Sequence, residues 1–106
     1  MVAENRSTLQ LSAEELQIVH SILQRLVSDR EVWVFGSRAT AKHKPYSDLD
    51  LVVMGEEALP LATTADLREA FSNSDLKFKV DLVVWSELTD NFKKIIKNHY
   101  LIIQDA

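Results

Sequence analysis

Val32-Trp33-Val34-Phe35-Gly36-Ser37-Arg38-Ala39-Thr40 and, after residues 41–46, Ser47-Asp48-Leu49-Asp50-Leu51-Val52-Val53-Met54 form the stretch on which the fold turns. Val32 to Phe35 is a short apolar run rich in β-branched and aromatic residues. It reads as a buried strand that stops at Gly36. Residues 38–47 are polar and contain Pro45, which predicts a turn or loop with a helical turn at its start. Leu49 to Met54 is a second strand, and Gly55 and Pro60 bracket the connection that follows. Asp48 and Asp50 are one residue apart, so on a strand both point to the same face, while Leu49, Leu51 and Val53 point to a core. Two carboxylates side by side repel, and a hard divalent cation such as Mg²⁺ relieves the repulsion through oxygen ligation.

Phe78-Lys79-Val80-Asp81-Leu82-Val83-Val84-Trp85 is a third strand. Alternation puts Phe78, Val80, Leu82 and Val84 on one face and Asp81 on the other. A charge inside such an apolar run is costly unless something compensates it. If the third strand lies beside the second, Asp81 joins Asp48 and Asp50 in one metal-binding cluster. At the end of the first strand, Gly36 lets the backbone turn tightly and leaves room for a ligand. If Ser37 opens a helical turn, its backbone N–H groups form the positive end that binds phosphate. The Ser37 hydroxyl adds a donor and Arg38 a charge suited to phosphate oxygens. An anion cradle beside an acidic metal site suits a metal-bound nucleoside triphosphate.

The flanks supply helices. Residues 1–11 read as a loose lead-in. Ser12 fits a helix N-cap with Glu15 completing a capping box. Leu16, Val19, Leu23 and Leu26 then follow at helical spacing to an end near Ser28. Thr63 or Thr64 is the expected cap of a second helix that buries Leu67, Ala70 and Phe71 and ends at Ser72-Asn73-Ser74. Ser86 is the expected cap of a last helix with Phe92, Ile95, Ile96 and His99 on one face and Lys93, Lys94 and Lys97 elsewhere. Leu101-Ile102-Ile103 either continues that helix or adds a strand. The expected order is α-β-(turn)-β-α-β-α, one α/β or α+β domain over residues 1–106. Trp33, Trp85 and Phe35 are read as core residues.

With 106 residues the chain suffices for one domain and not two. Twelve basic against sixteen acidic residues give a net charge of −4, which argues against autonomous nucleic-acid binding. The absence of cysteine excludes disulfides and thiolate zinc sites, and His20, His43 and His99 lack ligand spacing. The N-terminal residues lack the apolar run of a signal peptide, and no stretch reaches the roughly 20 apolar residues of a membrane span. A cytoplasmic setting is the expectation.

Gly36-Ser37, ten intervening residues, then Asp48-Leu49-Asp50 resembles the signature of the DNA polymerase β-like nucleotidyltransferase superfamily. The longer strings Phe35-Gly36-Ser37-Arg38-Ala39-Thr40 and Ser47-Asp48-Leu49-Asp50-Leu51 are similar to its minimal nucleotidyltransferase (MNT) branch, and Asp81 stands where that family has a third acid. The resemblance implies an α+β nucleotidyltransferase fold whose small mixed sheet brings the three acids to one edge of a cleft. It implies transfer of AMP from ATP to a hydroxyl with release of pyrophosphate. In the two-metal pattern, two Mg²⁺ ions, or Mn²⁺, lie on Asp48, Asp50 and Asp81. Gly36, Ser37, Arg38 and Ser47 then contact the nucleotide. It also implies an antitoxin role, with a tyrosine of a HEPN-type toxin as acceptor, supplied in a hetero-oligomer or through a second copy of the chain. One departure is Ala41, where the family usually has Gly.

Blander readings stand beside these. Asp48 and Asp50 alone read as a solvated strand start, Asp81 as an edge-strand charge and Arg38 as a surface cation. Lys42, His43 and Lys44 read either as an attractor of triphosphate or as a solvated loop. Two functional rivals remain: a binding module that neutralises its partner by contact without turnover, and an enzyme that modifies a small alcohol such as an aminoglycoside.

Overall fold

Ser12 opens the first helix through the reciprocal bonds its sequence predicts. The Glu15 N–H donates to Ser12 Oγ at 3.1 Å and the Ser12 N–H to Glu15 Oε1 at 2.9 Å. Helix α1 (Ala13–Val27) then buries Val19, Ile22, Leu23 and Val27. The structure, a computed structural model, describes residues 9–40 and 47–106, so most of the lead-in and the loop carrying Ala41, Lys42, His43 and Lys44 lie outside the described residues.

The chain continues through β1 (Val32–Phe35), a 3₁₀ turn (Gly36–Ala39), β2 (Leu49–Val53), α2 (Leu61–Ser72), β3 (Val80–Val84), a second 3₁₀ turn (Trp85–Glu87), α3 (Asp90–Asn98) and β4 (Tyr100–Gln104). The four strands form one mixed sheet in the order β3-β2-β1-β4. β1 is antiparallel to both β2 and β4, and β2 is parallel to β3. A parallel pair needs a crossover connection, which α2 provides.

One sheet face carries Val32, Val34, Leu49, Leu51 and Val53, all fully buried. They pack with Val19 and Leu23 of α1 and Leu67 of α2 into a single core. Each fully buried aliphatic side chain contributes about 1.5–3 kcal/mol, so this layer is the main source of stability. The other face carries Trp33, Phe35, Asp50 and Asp81, and α3 lies against part of it. There Phe92 of α3 meets Phe35 edge to face with centroids 5.8 Å apart, Trp33 stacks on Tyr100 at 3.8 Å, and Trp85 meets Trp33 at 5.6 Å.

Several boundaries differ from the sequence reading. The tail after α3 is a strand, because His99 turns extended (φ −150°, ψ 104°) and the following residues pair with β1. The order therefore ends in β rather than in α. Helix α2 starts at Leu61, ahead of Thr63 and Thr64. The Pro60 carbonyl accepts the Thr64 N–H at 3.1 Å, so proline opens the helix where a threonine was expected to cap it. Thr89, not Ser86, caps α3 by accepting the Phe92 N–H at 3.2 Å. On α3 only Ile96 is buried, Phe92 is half-buried, and Ile95 is 56% exposed. Trp33, Trp85 and Phe35 are half-buried on the second face, outside the main core.

Candidate functional site

The strand register brings the site together. Asp50 is the Cα partner of Phe35 on β1 and of Asp81 on β3. Neighbouring strands lie about 4.8 Å apart, and paired residues share a face, so the Asp50 and Asp81 carboxylates stand side by side. Asp50 is half-buried. Burial first, then the negative charges of Asp81 and Asp48, push its pKa up from 3.8 to about 6. Asp48 is exposed, just ahead of β2. Asp81 pairs with Lys79 at 3.4 Å, with side chains 42% and 72% exposed, a contact weak in energy because water screens it.

The Gly36 backbone closes over Asp50. Its φ is +75°, in the left-handed region that favours glycine. A Cβ at this position would crowd the Asp50 side chain, at 3.2 Å from Cγ and closer still to Oδ2. Glycine is therefore required twice, by the turn and by the carboxylate beneath it. The 3₁₀ turn it opens has no side-chain cap on its first N–H groups. The Ser37 carbonyl accepts from the Thr40 N–H at 3.2 Å and the Thr40 hydroxyl at 3.1 Å, which fixes the turn's far end.

A groove of about 790 Å³ runs along the β3 edge past Asp50 and Asp81. Phe35, Lys79, Phe92 and Phe71 are among its walls. Of these, Phe35 reads from sequence as a core strand residue and Phe71 and Phe92 as helix-face residues, and only the pairing of strands and the packing of α2 and α3 turn them into groove lining.

Arg38 lies elsewhere. It is 3% exposed, and its guanidinium donates to the carbonyls of Ser47 at 2.9 Å and Gln10 at 2.7 Å and stacks 3.9 Å from the Phe78 ring centroid. Burial lowers its pKa, against the Glu15 charge that raises it. The surface-cation reading is therefore corrected: Arg38 is buried inside the loop framework. Ser47 meets Arg38 through its carbonyl and is half-buried.

The donor set is chemically suited to a hard divalent cation, being carboxylate oxygens, and a cation between Asp50 and Asp81 would offset the repulsion that adds to the effect of burial on the Asp50 pKa. Among the described residues, no group of three or more Asp, Glu, His or Cys side chains is gathered closely enough to hold a metal as it stands. No described helix is long and apolar enough to cross a membrane.

Residues 16–103 match the nucleotidyltransferase domain family. A Haemophilus influenzae protein named "Probable protein adenylyltransferase MntA" is 48% identical over 97 residues, covering 92% of this chain and 85% of its own. Among solved structures, a toxin–antitoxin complex with AMP-PNP superposes with a TM-score of 0.69 at 18% identity, over 86% of this chain and 73% of that one. A complex of tri-AMPylated Shewanella oneidensis HEPN toxin with MNT antitoxin gives 0.59 at 18% identity, with the same coverage. At these identities the two structures bear on the fold, which they share with this chain.

Proposed function

We propose that this chain, which belongs to the nucleotidyltransferase domain family, transfers AMP from ATP to a tyrosine hydroxyl of a HEPN-type toxin and acts as that toxin's antitoxin. One observation carries the reading: Asp50, against the Gly36 turn, stands beside Asp81 on the next strand, in a chain 48% identical to a protein named as a probable adenylyltransferase. The name of the HEPN–MNT complex, which speaks of an AMPylated toxin, supports the choice of acceptor.

Gly36 and Ser37 present the backbone N–H groups of the 3₁₀ turn to the β- and γ-phosphates, and the Ser37 hydroxyl adds a donor. Ser47 borders the same loop. Asp48, Asp50 and Asp81 would hold Mg²⁺, or Mn²⁺, in a two-ion site. When bound, the cations supply charge neutralisation and orient the triphosphate. The acceptor oxygen attacks the α-phosphorus in line, the bond from that phosphorus to the bridging oxygen breaks, and pyrophosphate leaves. The Asp81 carboxylate takes the proton of the attacking hydroxyl. Asp50 holds the ligand side of the cleft, where its own repulsion with Asp81 and Asp48 favours the arrival of positive charge. Consumption of ATP and a chain without cysteine support a cytoplasmic setting.

The stoichiometric alternative draws on the ungathered acids: a module could bind nucleotide and silence its partner by contact. Incubation of the chain and a co-expressed HEPN partner with α-labelled ATP and Mg²⁺ separates the two. Label on the partner's tyrosine that vanishes with chelator supports transfer. An unlabelled partner that is nevertheless silenced removes the enzymatic reading.

A further inference from the structure

Arg38 is the only buried polar or charged residue among those described. A buried cation is costly unless its donors are well satisfied, so its partners carry information. Nε donates to the carbonyl of Ser47, the residue just ahead of Asp48 and three before Asp50. The guanidinium carbon lies over the ring of Phe78, which precedes Lys79 and lies three residues before Asp81. Nη1 donates to the carbonyl of Gln10, and the Gln10 N–H donates back to the Arg38 carbonyl at 3.3 Å. Arg38 itself sits two residues past Gly36, inside the turn that covers Asp50. One planar cation thus touches the chain within three residues upstream of each acid. The segments it joins are also linked by the Leu49 N–H, which donates to the Lys79 carbonyl at 2.9 Å.

We infer that Arg38 is a positioning residue: it sets the spacing of Asp48 and Asp50 against Asp81, and of all three against the Gly36–Ser37 turn, through backbone carbonyls and the Phe78 ring. This rests on the three acids being the catalytic centre. The task calls for a guanidinium. Donors on separate edges and a stacking face are fixed in one rigid plane, whereas a lysine ammonium offers a point charge and no plane. The role differs from direct phosphate contact, in which the same charge would face the groove.

Arg38→Lys is the first test, with circular dichroism to establish the folded fraction. Transfer to the HEPN partner gives kcat and KM, and electron paramagnetic resonance of Mn²⁺ without nucleotide reports the acids independently of turnover. Displaced acids predict a kcat lower by about 100-fold, as for misplaced reacting groups, with KM for ATP nearly unchanged. Mn²⁺ binding should weaken by about 10-fold, the scale seen when a group that orients metal ligands is lost. Phe78→Leu keeps the guanidinium and removes its ring, so it should shift kcat and Mn²⁺ binding in the same direction by less. It decides the matter if Arg38→Lys fails to fold. A raised KM for ATP with kcat unchanged would instead make Arg38 a phosphate ligand and overturn the inference. Folded variants with wild-type kcat and Mn²⁺ affinity would leave it a packing residue, which also overturns it. Asp50→Asn is the control for the underlying reading: full activity there would sink the catalytic assignment of the acids, whatever Arg38 does.

Discussion

Asp50→Asn changes one charge and almost no volume, so it isolates the electrostatic cost of the acidic pair. The wild-type carboxylate has its pKa raised from 3.8 to about 6 by burial and by Asp81 and Asp48. That difference corresponds to about 3 kcal/mol between ionised and neutral forms, and solvent reaching this half-buried group reduces it to about 1–2 kcal/mol. The sign follows from the raised folded pKa. Asp50 imposes no cost well below pH 3.8, where it is neutral in both states; the cost develops as pH rises from 3.8 to about 6 and is complete above that. At pH 8 without metal, Asp50→Asn should therefore be more stable than wild type by about 1–2 kcal/mol, or about 4–8 °C in Tm for each kcal/mol. Well below pH 3.8 the difference should vanish. Addition of Mg²⁺ and a non-hydrolysable ATP analogue should raise the wild-type Tm more than the variant's, because ligand-linked stability tracks affinity. Urea titrations at several pH values, with and without Mg²⁺, measure all of this. A variant less stable than wild type at pH 8, or a difference that does not change with pH, would refute the electrostatic argument.

Further outcomes follow from the same geometry. Gly36→Ala should lose about 1–2 kcal/mol from the left-handed backbone alone and push the Asp50 side chain aside, so AMP transfer should fall more steeply than stability in parallel melts and activity assays. Asp48→Asn with Asp50→Asn should stay folded and abolish label transfer; if it still neutralises the partner in cells as well as wild type does, contact and not catalysis is the mechanism. Asp81→Asn loses the exposed pair with Lys79 and also relieves the repulsion on Asp50, so its metal-free stability should fall by no more than about 1 kcal/mol while transfer activity collapses; a strongly destabilised, fully active protein would remove Asp81 from the site. Ile96→Ala, at the one buried position of α3, should cost about 2–4 kcal/mol in chemical denaturation.

The acids were legible because strand alternation is a local rule. Asp48-Leu49-Asp50 states its own faces, and Asp81 announces itself as a charge within an apolar strand. The Ser12–Glu15 capping box was equally local and stands as read. What the sequence concealed depends on partners far along the chain. Leu101-Ile102-Ile103 suits a helix or a strand until β1 offers an open edge. Ile95 continues a helical stripe but has no neighbour to cover it. The inward turn of Arg38 needs Gln10, Ser47 and Phe78 in place, and none of these positions advertises an arginine partner.

The placement of β4 also bears on how the chain acquires its shape. β1 emerges early in synthesis, yet its second neighbour is formed by residues 100–104. Until that segment is available, one side of a central strand presents unpaired N–H and C=O groups, a template for pairing with another chain. Closing so long a loop is slow relative to the local helices. Loss of the last strand should therefore appear less as a damaged site than as a tendency to aggregate, with the nascent chain vulnerable to proteolysis until residues 100–104 dock.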